Sequence, residues 1–137
     1  MANIGIWMDK RMAKLITIGN GEEQPITIKS NVEDYRPSGG SGNRLRGGLQ
    51  NVVHDRRYKE REKQQLKAYF VEIANKLPKD STIVVFGPAE TGKRFVDELS
   101  KSHKELRRKI IGVEKADSMT DNQMKAWVID YFRQKQN

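Results

Sequence analysis

A chain of 137 residues with 26 lysines and arginines against 18 aspartates and glutamates carries a formal charge of +8. That length suits a single domain spanning 1–137, and 36% apolar residues suffice for one core. With no cysteine and only two distant histidines, disulfides, cysteine nucleophiles and a histidine zinc site are excluded, so no metal and no cofactor is expected.

No run is apolar for long enough to cross a membrane, and the short apolar start is broken by Asp9, Lys10 and Arg11. A basic, cytoplasmic domain without a membrane partner is the expectation. Asn3 to Met8 and Met12 to Ile18 read as two strands joined by Asp9-Lys10-Arg11. Gly19-Asn20-Gly21 signals a turn, and Gln24 to Ser30 reads as a third strand with Ile26 and Ile28 on one face. Pro25 suits the start of a strand at a sheet edge.

Residues 31–50 then change character, with Pro37 and five glycines, and predict a long flexible loop. A helix follows from near Val52 or Asp55 to Leu77, closed by Pro78. Leu66, Tyr69, Phe70, Ile73 and Leu77 recur at helical spacing, while the charged first half predicts a segment that projects from the body. Ser81 to Phe86 reads as a buried central strand. A helix through Phe95, Val96, Leu99 and Leu106 comes next, then a strand over Lys109 to Val113. Thr120 and Gln123 form a capping box, and Met124, Trp127, Val128 and Tyr131 form the stripe of a last helix. The order β-β-β-loop-α-β-α-β-α predicts an α/β (α+β) fold, a mixed sheet with packed helices.

The positive charge is concentrated. Residues 43–67 carry eight cations (Arg44, Arg46, Arg56, Arg57, Lys59, Arg61, Lys63, Lys67) against three carboxylates. Residues 101–109 add Lys101, Lys104, Arg107, Arg108 and Lys109 against Glu105. Such clustering costs self-repulsion and points to a polyanion, although a charged helix face also serves solubility.

Other motifs carry less. Gly87-Pro88-Ala89-Glu90-Thr91-Gly92-Lys93-Arg94 follows a phosphate-binding loop until Arg94 stands where a magnesium-holding hydroxyl is required. Pro88 removes a backbone donor and Glu90 adds negative charge, so a tight strand-to-helix turn is the simpler reading. Asp9, Asp34 and Asp97 offer carboxylates for a metal-dependent nuclease, but Asp9 equally suits a turn. His54 reads as a solvated side chain, His103 as a helix-end residue, and Trp7 and Trp127 as core. Ser38 and Ser41 lack a base partner.

What remains is Arg44-Leu45-Arg46-Gly47-Gly48-Leu49-Gln50 running into the arginine-rich helix. Paired glycines let a backbone approach another molecule closely, and arginines grip phosphates in a fork. In element order, in Gly47-Gly48 with Gln50, and over Gly87 to Leu99, the chain resembles the middle domain of the archaeal and eukaryotic peptide-chain release factors and of Pelota. It is also similar to small bacterial proteins that look like this domain standing alone. The resemblance implies a ribonuclease H-like sheet and a role on the ribosome, with rRNA and peptidyl-tRNA as partners.

By that resemblance Gln50 is the catalytic amide that positions water against the peptidyl-tRNA ester, with Gly47 and Gly48 allowing the turn. RNA would be held by Arg44, Arg46, Arg56, Arg57, Lys59, Arg61, Lys63, Lys101, Arg107 and Arg108. Leu49 separates the glycines from the glutamine where the family has them adjacent. In extended chain that shifts the amide by up to about 3.3–3.6 Å, enough to weaken catalysis while leaving binding intact. The rival expectations are a general RNA-binding protein, a nuclease on the same fold, and a scaffold without a nucleic-acid role. Oligomeric state is not legible.

Overall fold

A computed structural model describes residues 2–19, 24–32, 48–88 and 90–136, with backbone alone for 48–55 and 136. Five strands form one mixed sheet: β1 (Ala2–Met8), β2 (Met12–Ile18), β3 (Ile26–Lys29), β4 (Ser81–Gly87) and β5 (Ile110–Lys115). Their order is β3-β2-β1-β4-β5, with β1–β2 and β2–β3 antiparallel and β1–β4 and β4–β5 parallel. The helices are α1 (Gly48–Lys76), α2 (Thr91–Ser102), α3 (Lys104–Arg108) and α4 (Asp121–Gln136). The expected mixed sheet with packed helices is what forms.

The pleat divides the apolar residues between two cores. Ile4, Ile6 and Met8 of β1 and Ile83 and Val85 of β4 face α1 and α2, where Leu66, Tyr69, Phe70, Ile73, Phe95 and Leu99 are buried. Trp7, Val84 and Phe86 point the other way, onto Met124, Val128 and Phe132 of α4. A sheet covered on both faces requires continuous apolar runs in its central strands, and β1 and β4 supply them.

Several boundaries differ from the sequence reading. The expected helix through Leu106 divides at His103, whose φ of −139° and ψ of 65° leave the helical region. There Ser102 Oγ donates to the Glu98 carbonyl at 2.9 Å and lies 2.8 Å from His103 Nδ1, a local pairing that competes with continued helix. β5 runs to Lys115 because its pairing with β4 continues to Gly87. The loop expected over 31–50 gives way to α1 at Gly48, since Leu49 and Gln50 favour helix. Pro25 does precede an edge strand, yet only Ile28 is buried there, while Ile26 is 49% exposed.

On α4 the buried stripe is Met124, Val128 and Phe132, with Trp127 and Tyr131 half-buried beside it. Trp127 stacks between Phe86 at 4.0 Å and Tyr131 at 5.3 Å. The capping box forms in full: the Thr120 amide donates to Gln123 Oε1 at 2.9 Å, and the Gln123 amide to Thr120 Oγ1 at 3.2 Å.

Candidate nucleic-acid interface

The site is built outward from the β1–β2 turn. Asp9 Oδ1 accepts the amides of Arg11 at 2.8 Å and Met12 at 2.9 Å, and so acts as the turn residue. From α1 the Tyr69 hydroxyl donates to the Asp9 carbonyl at 3.1 Å. Burial, aided by the Asp9 charge, pushes the Tyr69 phenol far above its usual range, so it stays a donor at every physiological pH. From β3, Ser30 Oγ donates to the Lys10 carbonyl at 2.6 Å. The tip is thus held from two sides, and it presents Lys10 to α1.

Lys10 Nζ meets Glu62 Oε2 at 2.7 Å, and Arg94 Nη1 of α2 reaches Glu62 Oε1 at 3.9 Å. Burial works against the Glu62 charge, but hydrogen bonds from Lys10 and Tyr58, with the attraction of Lys10 and Arg94, hold its carboxyl below the ordinary range. The same hydrogen bond to Glu62 raises the Lys10 ammonium despite its partial burial. Glu62 therefore ties α1 to the hairpin tip and to the start of α2. Beneath this tie is a hollow of about 370 Å³ lined by Asp9, Lys10, Arg11, Glu90, Thr91 and Arg94. Its lining carries three cations, Lys10, Arg11 and Arg94, and two carboxylates, Asp9 and Glu90, so the charges largely offset one another.

Beyond the tie, α1 becomes an arm. From Tyr58 back to Gly48 the helix axis runs for roughly 15 Å at about 1.5 Å per residue. Arg56, Arg57, Lys59, Arg61 and Lys63 are all exposed. Among the described residues, Arg56, Arg57, Lys59 and Lys63 form no ion pair. The half-buried carboxylate of this stretch, Glu62, is turned inward and spent on Lys10 and Arg94. Over residues 56–63 what faces solvent is Arg56, Arg57, Lys59, Arg61 and Lys63 against the carboxylate of Glu60, a net positive surface.

Gly48, Leu49 and Gln50 belong to the first helical turn, which contains no acidic residue. Their helical backbone revises the effect expected of Leu49: one residue inserted in a helix advances the next by about 1.5 Å and turns it by about 100°, rather than extending it fully. Arg44, Arg46 and Gly47 lie outside the described residues, as do Asp34, Ser38 and Ser41.

The second basic block is not part of this surface. Lys101, Arg107 and Arg108 stand at the opposite pole, where α2 ends and β5 begins, so the structure separates residues the sequence had grouped. Arg107 Nη1 donates to the Ile110 carbonyl at 3.4 Å, while Lys101 and Arg108 are exposed.

The phosphate-loop string runs from the end of β4 into the start of α2, with Ala89 outside the described residues. Gly87 has a φ of 145°, and a Cβ there would fall on the Met8 carbonyl oxygen, so both backbone and space demand glycine. Lys93 is exposed and pairs with Glu90 at 3.7 Å. Arg94, expected to be a plain surface charge, has a structural partner in Glu62. Asp97 is exposed on α2, and among the described residues no group of three or more histidines and carboxylates could hold a metal ion.

Solved structures share this architecture. The Pelota protein of Thermoplasma acidophilum superposes with a TM-score of 0.54 at 16% identity, over 94% of this chain and 32% of that one. An archaeal translation termination factor gives a TM-score of 0.57 at 12% identity, over 98% of this chain and 40% of that one. The fold is one shared with translation factors. The chain spans well under half the length of either structure. No protein-family model matches the sequence, and no curated protein matches it. No described helix is long and apolar enough to cross a membrane.

Proposed function

We propose that this chain is a cytoplasmic, ribosome-associated translation factor of release, rescue or hibernation type, with rRNA and tRNA as partners. The RNA is gripped by Arg44, Arg46, Arg56, Arg57, Lys59, Arg61 and Lys63 on the glycine-rich segment and the arm of α1. One observation carries the reading: the inward-facing Glu62 is consumed by Lys10 and Arg94, leaving Arg56, Arg57, Lys59 and Lys63 exposed without a described ion-pair partner. Repulsion among such cations is relieved by phosphates, whose release of counterions supplies binding free energy. The fold shared with Pelota and a termination factor supports a translational setting for that chemistry.

Peptidyl-tRNA hydrolysis is the second and finer reading. It rests on Gln50, with Gly47 and Gly48, in the role the resemblance implies: an amide that orients water and stabilises a developing oxyanion. Leu49 offsets Gln50 from the glycines by one further residue than the family has, so hydrolysis is the function most exposed to failure and binding the least.

Co-sedimentation with ribosomal particles tests the proposal. The triple variant Arg56→Glu, Arg57→Glu, Lys59→Glu is expected to lose association by at least about 10-fold, because each phosphate contact contributes to a steep salt-dependent affinity. Gln50→Ala leaves association unchanged and removes any hydrolysis of ribosome-bound peptidyl-tRNA. Sedimentation with free RNA but never with ribosomes returns the general RNA-binding reading. An unaffected triple variant reduces the arm to a solvated face.

A further inference from the structure

The second cationic block asks for its own explanation. The break at His103 restarts the helix as α3, so that Leu106 turns to the core while Lys104 and Arg108, four residues apart, share the outer face. Like charges at that spacing repel. Lys101 at the end of α2 and Lys79 before β4 are exposed at the same pole. Among the described residues none of these four forms an ion pair. The exposed carboxylates Asp80 and Glu105 neighbour Lys79 and Lys104 without pairing to them, so four cations against two carboxylates leave the pole net positive in the free chain.

This pole is also electrostatically separate from the arm. The tie at Glu62 and Arg94 fixes the start of α2 beside the base of the arm. From there α2 runs one way and the arm of α1 the other. Helical rise puts Arg56 and Lys101 roughly 20 Å apart along these axes, more than twice the Debye length of about 8 Å at physiological salt. Neither field reinforces the other across that distance, so one stretch of surface does not serve both.

We propose that Lys79, Lys101, Lys104 and Arg108 form a second RNA-backbone site, and that the chain bridges two RNA segments. The site is read from its own residues; only the bridging rests on the proposed role of the arm. Its donors are three ammonium groups and one guanidinium on exposed stems, with no exposed aromatic ring beside them in sequence among the described residues. That chemistry fits phosphate contact without base readout, and so a folded RNA bound by shape. Two such sites on one folded RNA make the second contact intramolecular, which multiplies affinity without new chemistry.

The test is titration with an RNA hairpin too short to reach both poles. The unmodified protein is expected to bind two hairpins. The variant Lys101→Glu, Lys104→Glu, Arg108→Glu binds one, as does the arm variant Arg56→Glu, Arg57→Glu, Lys59→Glu, and the combination binds none. Circular dichroism confirms folding, and the milder Lys101→Gln, Lys104→Gln, Arg108→Gln variant weakens the same event. On a long folded RNA the α3 variant lowers affinity at least about 10-fold and flattens the log–log salt slope by roughly 2–3. A stoichiometry of one that the α3 variant does not change overturns the proposal. So does tighter binding of polyglutamate than of RNA at this pole, which would point to an acidic protein. Should only the arm variant leave two hairpins bound, the arm reading fails while this site stands.

Discussion

The two halves of α1 are one continuous helix living in two environments. From Leu66 onward it buries Tyr69, Phe70, Ile73, Ala74 and Leu77 against the sheet. Before Glu62 it presents Arg56, Arg57 and Lys59 to solvent. The first half adds little to folding and the second cannot reach a partner, so stability and recognition should respond to different substitutions. Between them Glu62 converts a packed helix into an aimed one.

The largest effect on that contrast should come from the packed half. Phe70 touches Tyr69 at a ring separation of 5.7 Å and Phe95 edge-on at 5.5 Å. Phe70→Ala is expected to cost about 3–5 kcal/mol in denaturant unfolding through the cavity it leaves. Gly87→Ala should follow closely, since strain at positive φ and collision with the Met8 carbonyl each cost about 1–3 kcal/mol.

The junction should give a smaller, pH-dependent signal. Glu62 lies below its ordinary value of 4.5, so its stabilisation is complete above that pH and is lost as pH falls through the lowered value. Lys10 lies above 10.5, so its contribution is complete below that pH and is lost as pH rises past the raised value. The stability difference between the unmodified protein and Glu62→Gln, measured by thermal unfolding, is expected to hold near neutrality and shrink below pH 4.5. A difference that does not vary with pH would mean that Glu62 acts by packing alone. The smallest effect belongs to the arm: Arg56→Glu, Arg57→Glu and Lys59→Glu should each change stability by no more than about 0.5 kcal/mol, while binding collapses. If unfolding shifted strongly, the division between the halves would be false.

The strands were legible because a sheet covered on both faces demands apolar runs, and β1 and β4 have them. The stripe of α1 was legible from Leu66 to Leu77 but not further back. Glu62 and Tyr58 continue it at four-residue steps from Leu66, a signal hidden because a glutamate among lysines and arginines looks like a solvated face. The tie to Lys10 and Arg94 joins residues far apart in sequence, and no local pattern announces it. On α4, Phe132 continues the four-residue step from Met124 and Val128 and was missed because Trp127 and Tyr131 appeared to complete the stripe. The split at His103 turns on one backbone conformation that apolar spacing does not encode, and the two basic blocks end on different surfaces because α2 runs away from the arm between them. The candidate catalytic segment was read from composition and resemblance, and its Gly47, Arg44 and Arg46 fall outside the described residues.

Trp7 and Trp127 both belong to the core beneath α4, on the sheet face opposite α1. Ultraviolet emission from this chain accordingly watches a part of the molecule that neither cationic surface touches. Anyone titrating RNA against it has an internal witness: a steady indole signal certifies an intact fold while some other label follows the arm.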